Sequence, residues 1–193
     1  MNIQNPNFLL MVEGLTVSFD GFKAVNDLSF YVEPNECRVI IGPNGAGKTT
    51  FFNCLSGFLR PDHGRMRLLG EAIDGLSPAA RARRGLGRAF QQGGLCASET
   101  VLANLLIAQD HSVSRWSPSS LLGIGTMGQR EEDGRRELAM QVLDILRMED
   151  EADAVVASLS YGHRKVLELG SALLTRPRII LLDEPAAGLG PEE

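Results

Sequence analysis

Ile40-Ile41-Gly42-Pro43-Asn44-Gly45-Ala46-Gly47-Lys48-Thr49-Thr50 is the stretch from which the rest of the chain is read. Gly42, Gly47, Lys48 and Thr49 fill every fixed position of the phosphate-binding loop pattern, and the apolar run Arg38 to Ile41 predicts the strand that precedes such a loop. Small residues keep side chains out of the concavity, so that backbone N–H groups from Asn44 and Gly45 through Thr50 can wrap a polyanion at the positive end of the following helix. Lys48 is then the point charge for the β and γ phosphates of a nucleotide, and the Thr49 hydroxyl a ligand for magnesium. The same glycines could make an ordinary turn between a strand and a helix, but the number of coinciding constraints argues against that.

Working outward, the Phe8 to Phe19 segment, an Asp20-Gly21 turn, and Leu28, Phe30 and Val32 alternating with polar residues predict two or three strands before the loop. Pro34-Asn35 turns the chain into a strand over Cys37 to Ile41. After the loop, Phe51, Phe52, Leu55, Phe58 and Leu59 fall mostly at helical spacing over Thr49 to Leu59, ending before Pro61. Gly64 to Gly70 predicts a strand, and Ser77-Pro78 a helix start. Arg135 to Met148 predicts an amphipathic helix with Leu138, Val142, Ile145, Leu146 and Met148 on one side. Arg164 to Leu174 predicts another, and Arg178 to Leu182 a fully buried strand ending in Asp183-Glu184. Gln109 to Gln129, rich in serine and glycine but carrying Trp116, predicts a loop excursion, as a plain surface loop or a contact for a partner or lipid headgroups.

The 193 residues suffice for one sizeable core, and 44% hydrophobic with 22% charged residues is ordinary globular composition. A formal charge of −5 argues against a nucleic-acid surface. The one basic cluster, Arg81-Ala82-Arg83-Arg84, is expected to be a solvated helix face. Cys37, Cys54 and Cys96 lack zinc-site spacing and are expected to be reduced and buried. No uninterrupted apolar span of membrane length occurs, and Met1 to Leu10 lacks a signal-peptide pattern.

Gly42 to Thr50, Gly87-Arg88-Ala89-Phe90-Gln91, Leu159-Ser160-Tyr161-Gly162 and Ile179 to Pro185 occur in the order and spacing of an ATP-binding cassette ATPase, which the chain resembles over essentially its whole length. Within that family it is most similar to the ATP-binding subunits of bacterial high-affinity importers for branched-chain amino acids or urea, on Phe19 to Asp27, the Gly-Leu-Gly-Arg-Ala-Phe-Gln run, Tyr161 and Asp183 to Leu189. The resemblance implies ATP and Mg2+ as bound species. Phe19, 29 residues before Lys48, would stack on adenine, though a strand-end Phe serves equally as core. Gln91 would complete the magnesium or water shell and sense the membrane partner, where a solvated loop glutamine is the plainer reading. Asp183 would hold the magnesium shell, and Glu184 would activate the attacking water as general base. Ser160 and Gly162 put a hydroxyl and an unobstructed backbone N–H at a helix start, which by themselves read as an ordinary helix cap; the resemblance implies that they bind ATP held mainly by a second ATPase subunit in a head-to-tail dimer, homo- or heteromeric.

Further partners implied are transmembrane permease subunits and, indirectly, a periplasmic solute-binding protein, with the chain peripheral on the cytoplasmic face of the inner membrane. His163 stands where the family has Gln, and Gly190 where it has Asn or Asp. The resemblance further implies that 1–193 is a partial ABC ATPase domain, lacking the C-terminal switch region and its histidine, so that this length alone would bind Mg-ATP but hydrolyse it poorly. The expected fold is α/β: a mostly parallel core sheet bearing the loop, an antiparallel edge over about 8–41, a helical region over about 95–170 and an insertion over about 109–134. The expected function is ATP hydrolysis driving branched-chain amino acid import. Alternatives are a urea or other amide importer, a non-transport member of the class, and an idle nucleotide-binding module.

Overall fold

In strand β1, Leu10–Phe19, buried side chains alternate at Leu10 and Val12 and resume at Leu15 and Val17. A strict two-residue period would have turned the second pair to the outer face. A bulge between Val12 and Leu15 absorbs the slip: Gly14 takes φ 60° there, and its N–H donates to Ser29 Oγ at 2.8 Å. The computed structural model describes residues 8–89, 94–112 and 127–183, and the chain divides into two compact units, Met1–Leu86 and Gly87–Glu193.

In the first unit β1 is flanked by two antiparallel partners. Asp20 and Gly21 both adopt positive φ, as a tight two-residue hairpin loop demands, and return the chain as β2, Phe22–Val32. On its other side β1 pairs with β3, His63–Leu68, which pairs with β4, Glu71–Ala72, so the order is β2-β1-β3-β4. Helix α1, Lys48–Ser56, follows the phosphate loop and buries Phe51, Cys54 and Leu55. Phe51 meets Phe30 of β2 edge-on, with 5.4 Å between ring centroids. Helix α2, Pro78–Arg83, starts at Ser77, whose hydroxyl oxygen accepts from Ala80 N at 3.3 Å.

The second unit begins one residue into β5, Leu86–Ala89, which forms a separate two-stranded sheet with β6, Ile179–Leu182, and it holds three mutually packed helices: α3, Val101–Ser112; α4, Met127–Leu146; and α5, Tyr161–Leu174. Val101, Leu105, Leu143 and Leu167 are fully buried between the helices. Gly170 lets α5 approach closely, for a Cβ there would stand 2.7 Å from Leu146 Cδ1.

Several expectations are corrected. Cys37 to Ile41 is irregular rather than a strand and belongs to no sheet; Val39, Ile40 and Ile41 are exposed, Ile41 by 90%. Three β-branched residues favour a strand but cannot make one without neighbours to take their hydrogen bonds. The antiparallel sheet takes its two long strands, β1 and β2, from residues 8–41 as expected, and adds β3 and β4 from residues 63–72. Arg81 is buried, whereas Arg83 and Arg84 are exposed. Of the cysteines only Cys54 is buried; Cys37 and Cys96 are exposed. On α4, Ile145 faces outward and Leu143 takes the inner position, because the buried face follows Ala139, Val142 and Leu143. Helix occupies 109–112 and 127–129 of the expected Gln109 to Gln129 excursion, and 130–134 of the expected insertion, while Trp116 lies outside the described residues. Leu181 of β6 is buried but Leu182 is partly exposed, so that strand is covered on one face more than the other.

Candidate functional site

The phosphate loop closes on itself through Lys48. Its ammonium donates to the carbonyls of Gly42 at 2.7 Å and Pro43 at 3.0 Å, drawing the side chain back across the loop instead of into solvent. Ala46 N donates to Pro43 O at 3.2 Å, turning the chain between them. Gly45 and Gly47 take φ 83° and 85°, a region that L side chains rarely adopt. Gly47 has a second reason to be glycine: a Cβ there would stand 2.1 Å from the Ala24 carbonyl of β2. The loop is thus seated against the sheet at the residue preceding α1, and α1 opens without a side-chain cap. Uncapped N–H groups at a helix start, glycines that leave the concavity open and one ammonium at its lip form a cradle that fits a polyphosphate.

Thr49 is exposed and Thr50 partly buried in the first turn of α1, while Asn44 is exposed in the loop. Phe19 ends β1 beside the hairpin turn, 48% exposed, so its ring face is open to a stacking partner rather than enclosed in core.

In the second unit, Ser160 caps α5: its hydroxyl oxygen accepts from His163 N at 3.1 Å, and Gly162 is buried beneath it. Arg164 folds back to donate twice to Leu159 O, from Nε at 3.1 Å and Nη2 at 2.9 Å, fixing the strand-like approach to the helix. The His163 ring, in the place of the family's glutamine, contacts Glu151 Oε1 through Nδ1 at 2.8 Å. Lys165 sits 5.2 Å from the centre of the Tyr161 ring. At the end of β6 the Asp183 carboxylate accepts from Arg88 Nη2 at 3.0 Å, both side chains being nearly buried. Gln91 and Glu184 lie outside the described residues, as does Gly190.

The structure therefore gathers Gly42, Gly47 and Lys48 in one unit, and Ser160 with Gly162, and Asp183 with Arg88, in the other. Arg88, Arg164 and Ala24 had no site role in the sequence reading. Arg88 carried a usable signal, since an arginine within a short apolar strand calls for a buried acid. Ala24 carried none, because its contribution is a backbone carbonyl.

Each unit offers an oxygen donor of the kind a hard cation takes, the Thr49 hydroxyl in the first and the Asp183 carboxylate in the second. Among the described residues no three His, Cys, Asp or Glu side chains form a metal cage. Also among the described residues, no helix is long and apolar enough to cross a membrane.

Residues 25–187 match the family described as ABC transporter. The chain is 42% identical over 185 residues to the high-affinity branched-chain amino acid transport ATP-binding protein BraF of Pseudomonas aeruginosa, covering 96% of this chain and 72% of that protein. It is 39% identical, with the same coverage, to LivG of Escherichia coli, which bears the same description. Among solved structures, the ADP conformation of MJ1267, an ATP-binding cassette of an ABC transporter, superposes with a TM-score of 0.79 at 34% identity, over 96% of this chain and 72% of that one. Its phosphate-loop fold and these relatives make the protein a member of the ABC transporter family, in the ATP-binding and nucleotide-hydrolysing class.

Proposed function

We propose that this chain is the ATPase subunit that powers import of branched-chain amino acids through separate permease subunits. The observation that carries this reading is the 42% identity to BraF along 96% of the chain. Family membership supports paired ATPase subunits on membrane permeases, with this chain peripheral on the cytoplasmic face of the membrane. In the finer fold, residues 38–41, irregular in this structure, become the strand leading into the phosphate loop of a mostly parallel core sheet when Mg-ATP binds. Three exposed β-branched residues in a row support that, since their burial would be favourable.

Within this reading Phe19 stacks on adenine, while the N–H groups from Asn44 to Thr50 and the Lys48 ammonium hold the phosphates. Lys48 gives up its hydrogen bonds to Gly42 and Pro43 in exchange for phosphate oxygens, a charge-assisted contact stronger than the one it leaves. Thr49, Gln91 and Asp183 would hold magnesium, which would supply positive charge to offset that of the nucleotide phosphates. Arg88 fixes the Asp183 carboxylate through one oxygen, leaving the other for the magnesium shell. Glu184 orients water and accepts its proton as the water oxygen bonds to the γ-phosphorus and the bond to the β-phosphate bridge breaks. Ser160 and Gly162 close on the nucleotide of a second subunit.

Glu184→Gln keeps the side chain's size but withdraws the base. In the assembled transporter it should still bind Mg-ATP while phosphate release falls about 10²-fold to 10⁴-fold. Turnover near the parent rate would remove Glu184 from the chemistry. The solute is tested by reconstituting the subunit with its permeases and binding protein in vesicles. ATP-dependent uptake of leucine or valine is the expected result, and uptake confined to urea or another amide overturns the amino acid reading.

A further inference from the structure

Among the described residues Arg81 is the largest side chain with almost no exposure, at 1%. A helix leaves its last four carbonyls without intrahelical donors. In α1 these belong to Asn53, Cys54, Leu55 and Ser56. Backbone N–H groups of Gly57 and Phe58 serve Cys54 O and Asn53 O. Arg81 Nη1 then donates to Cys54 O at 2.6 Å and to Leu55 O at 2.8 Å, so a side chain from α2 caps the far end of the phosphate helix. The rest of the guanidinium reaches away from α1, Nε to Leu76 O at 3.1 Å and Nη2 to Asp74 O at 3.0 Å. Asp74 in turn accepts from Met66 N of β3 at 2.6 Å through its carboxylate. One planar fork therefore ties the helix end to a turn that is itself tied to the sheet. Gly57 preserves the space for it, since a Cβ there would stand 2.9 Å from Arg81 Nε.

The chemistry is specific to arginine. Its donors diverge in a fixed plane toward four carbonyls on two segments, whereas a lysine ammonium is a single point and cannot span them. The positive charge also lies at the negative end of the helix dipole. At the opposite end, Gly47 is seated on the Ala24 carbonyl. Helix α1 has only 9 residues and is held at both ends, so a shift at its carboxyl end is transmitted to Lys48.

We propose that Arg81 is a positioning residue for the nucleotide: by capping the carboxyl end of α1 it sets where Lys48 and the helix's amino end meet the phosphates. This rests on the assignment of Lys48 to the phosphates. The test is calorimetric Mg-ATP affinity of the full protein carrying Arg81→Lys or Arg81→Met. Leu143→Ala, in the helical core, serves as a variant destabilised elsewhere, and Lys48→Ala as the site control. All are measured well below their melting temperatures.

Arg81→Lys is expected to weaken Mg-ATP binding by about 10-fold and Arg81→Met by up to about 10²-fold, the scale that misplacement of around an ångström produces at a reacting group. Leu143→Ala should lower the melting temperature with affinity retained. If Arg81→Lys binds as the parent does, or loses no more than Leu143→Ala, the proposal is overturned. Should Arg81→Met fail to fold, Arg81→Lys decides alone. An unchanged affinity in Lys48→Ala, by contrast, would overturn the phosphate assignment itself and the role of Arg81 with it.

Discussion

Cys54 and Arg81 are neighbours in a part of the first unit that excludes water, and each shows what burial does to an ionisable group. Desolvation pushes the Cys54 thiol up to about 11, only partly offset by the Arg81 charge. Burial likewise pulls the Arg81 guanidinium below its ordinary value, with the Asp74 charge opposing the shift. The thiolate is the reactive form, so Cys54 is protected twice, by exclusion of reagent and by the scarcity of thiolate. An alkylating reagent applied to the native protein at mildly alkaline pH should label the exposed Cys37 and Cys96 and spare Cys54 until denaturant is added. Mass mapping of labelled peptides checks this. Rapid native labelling of Cys54 would show that the α1–α2 contact opens far more readily than its hydrogen bonds indicate. Arginine composition alone marked residues 81–84 as a solvated face; only Arg81's acceptors reveal that one of the three arginines turns inward.

At the scale of elements, the segment Arg38 to Ile41 separates local preference from realised structure. Its side chains favour extended backbone, and the loop that follows requires a rigid approach. The segment is nevertheless irregular and exposed. If the proposed strand forms in the Mg-ATP-bound protein, amides 38–41 should exchange with solvent as slowly as those of β1. Exchange at the rate of the adjoining Pro34-Asn35 turn would eliminate the strand and leave the loop anchored only through Gly47 and α1. Helix α5 behaves in the opposite way. Its Ser160 cap, apolar spacing and glycine contact at Gly170 all agree, and the helix runs over Tyr161–Leu174 where a helix over Arg164 to Leu174 is expected. The extra turn is the cap itself, since Ser160 accepts from His163 N and draws Tyr161 and Gly162 into the first turn.

For the molecule as a whole, stability carries a pH dependence from Glu168. Burial raises its pKa above 4.5, against the opposing attraction of Lys165. A raised folded-state value means that the native protein binds this proton more tightly than the unfolded chain. The stabilising contribution is complete below 4.5 and is lost as pH rises through the raised value. Glu168→Gln removes the charge but keeps the shape, so it should melt at a higher temperature than the parent at neutral pH, the gap narrowing toward pH 4.5. Thermal melts at the two pH values check this, and a lower melting temperature for the variant at neutral pH would mean that the Lys165 attraction outweighs burial. The sequence by itself determined what short-range sterics and hydrogen bonding decide: the glycine pattern of the phosphate loop, the Asp20-Gly21 turn, and the caps at Ser77 and Ser160. Each depends on neighbours within a few positions, so their residue types suffice. Only the tertiary structure decided that Arg81 caps a helix 26 and 27 residues earlier, that Arg88 meets Asp183 across 95 residues, and that the Ala24 carbonyl makes Gly47 irreplaceable. Those contacts depend on which segments pack together, a property that no local pattern of residues encodes.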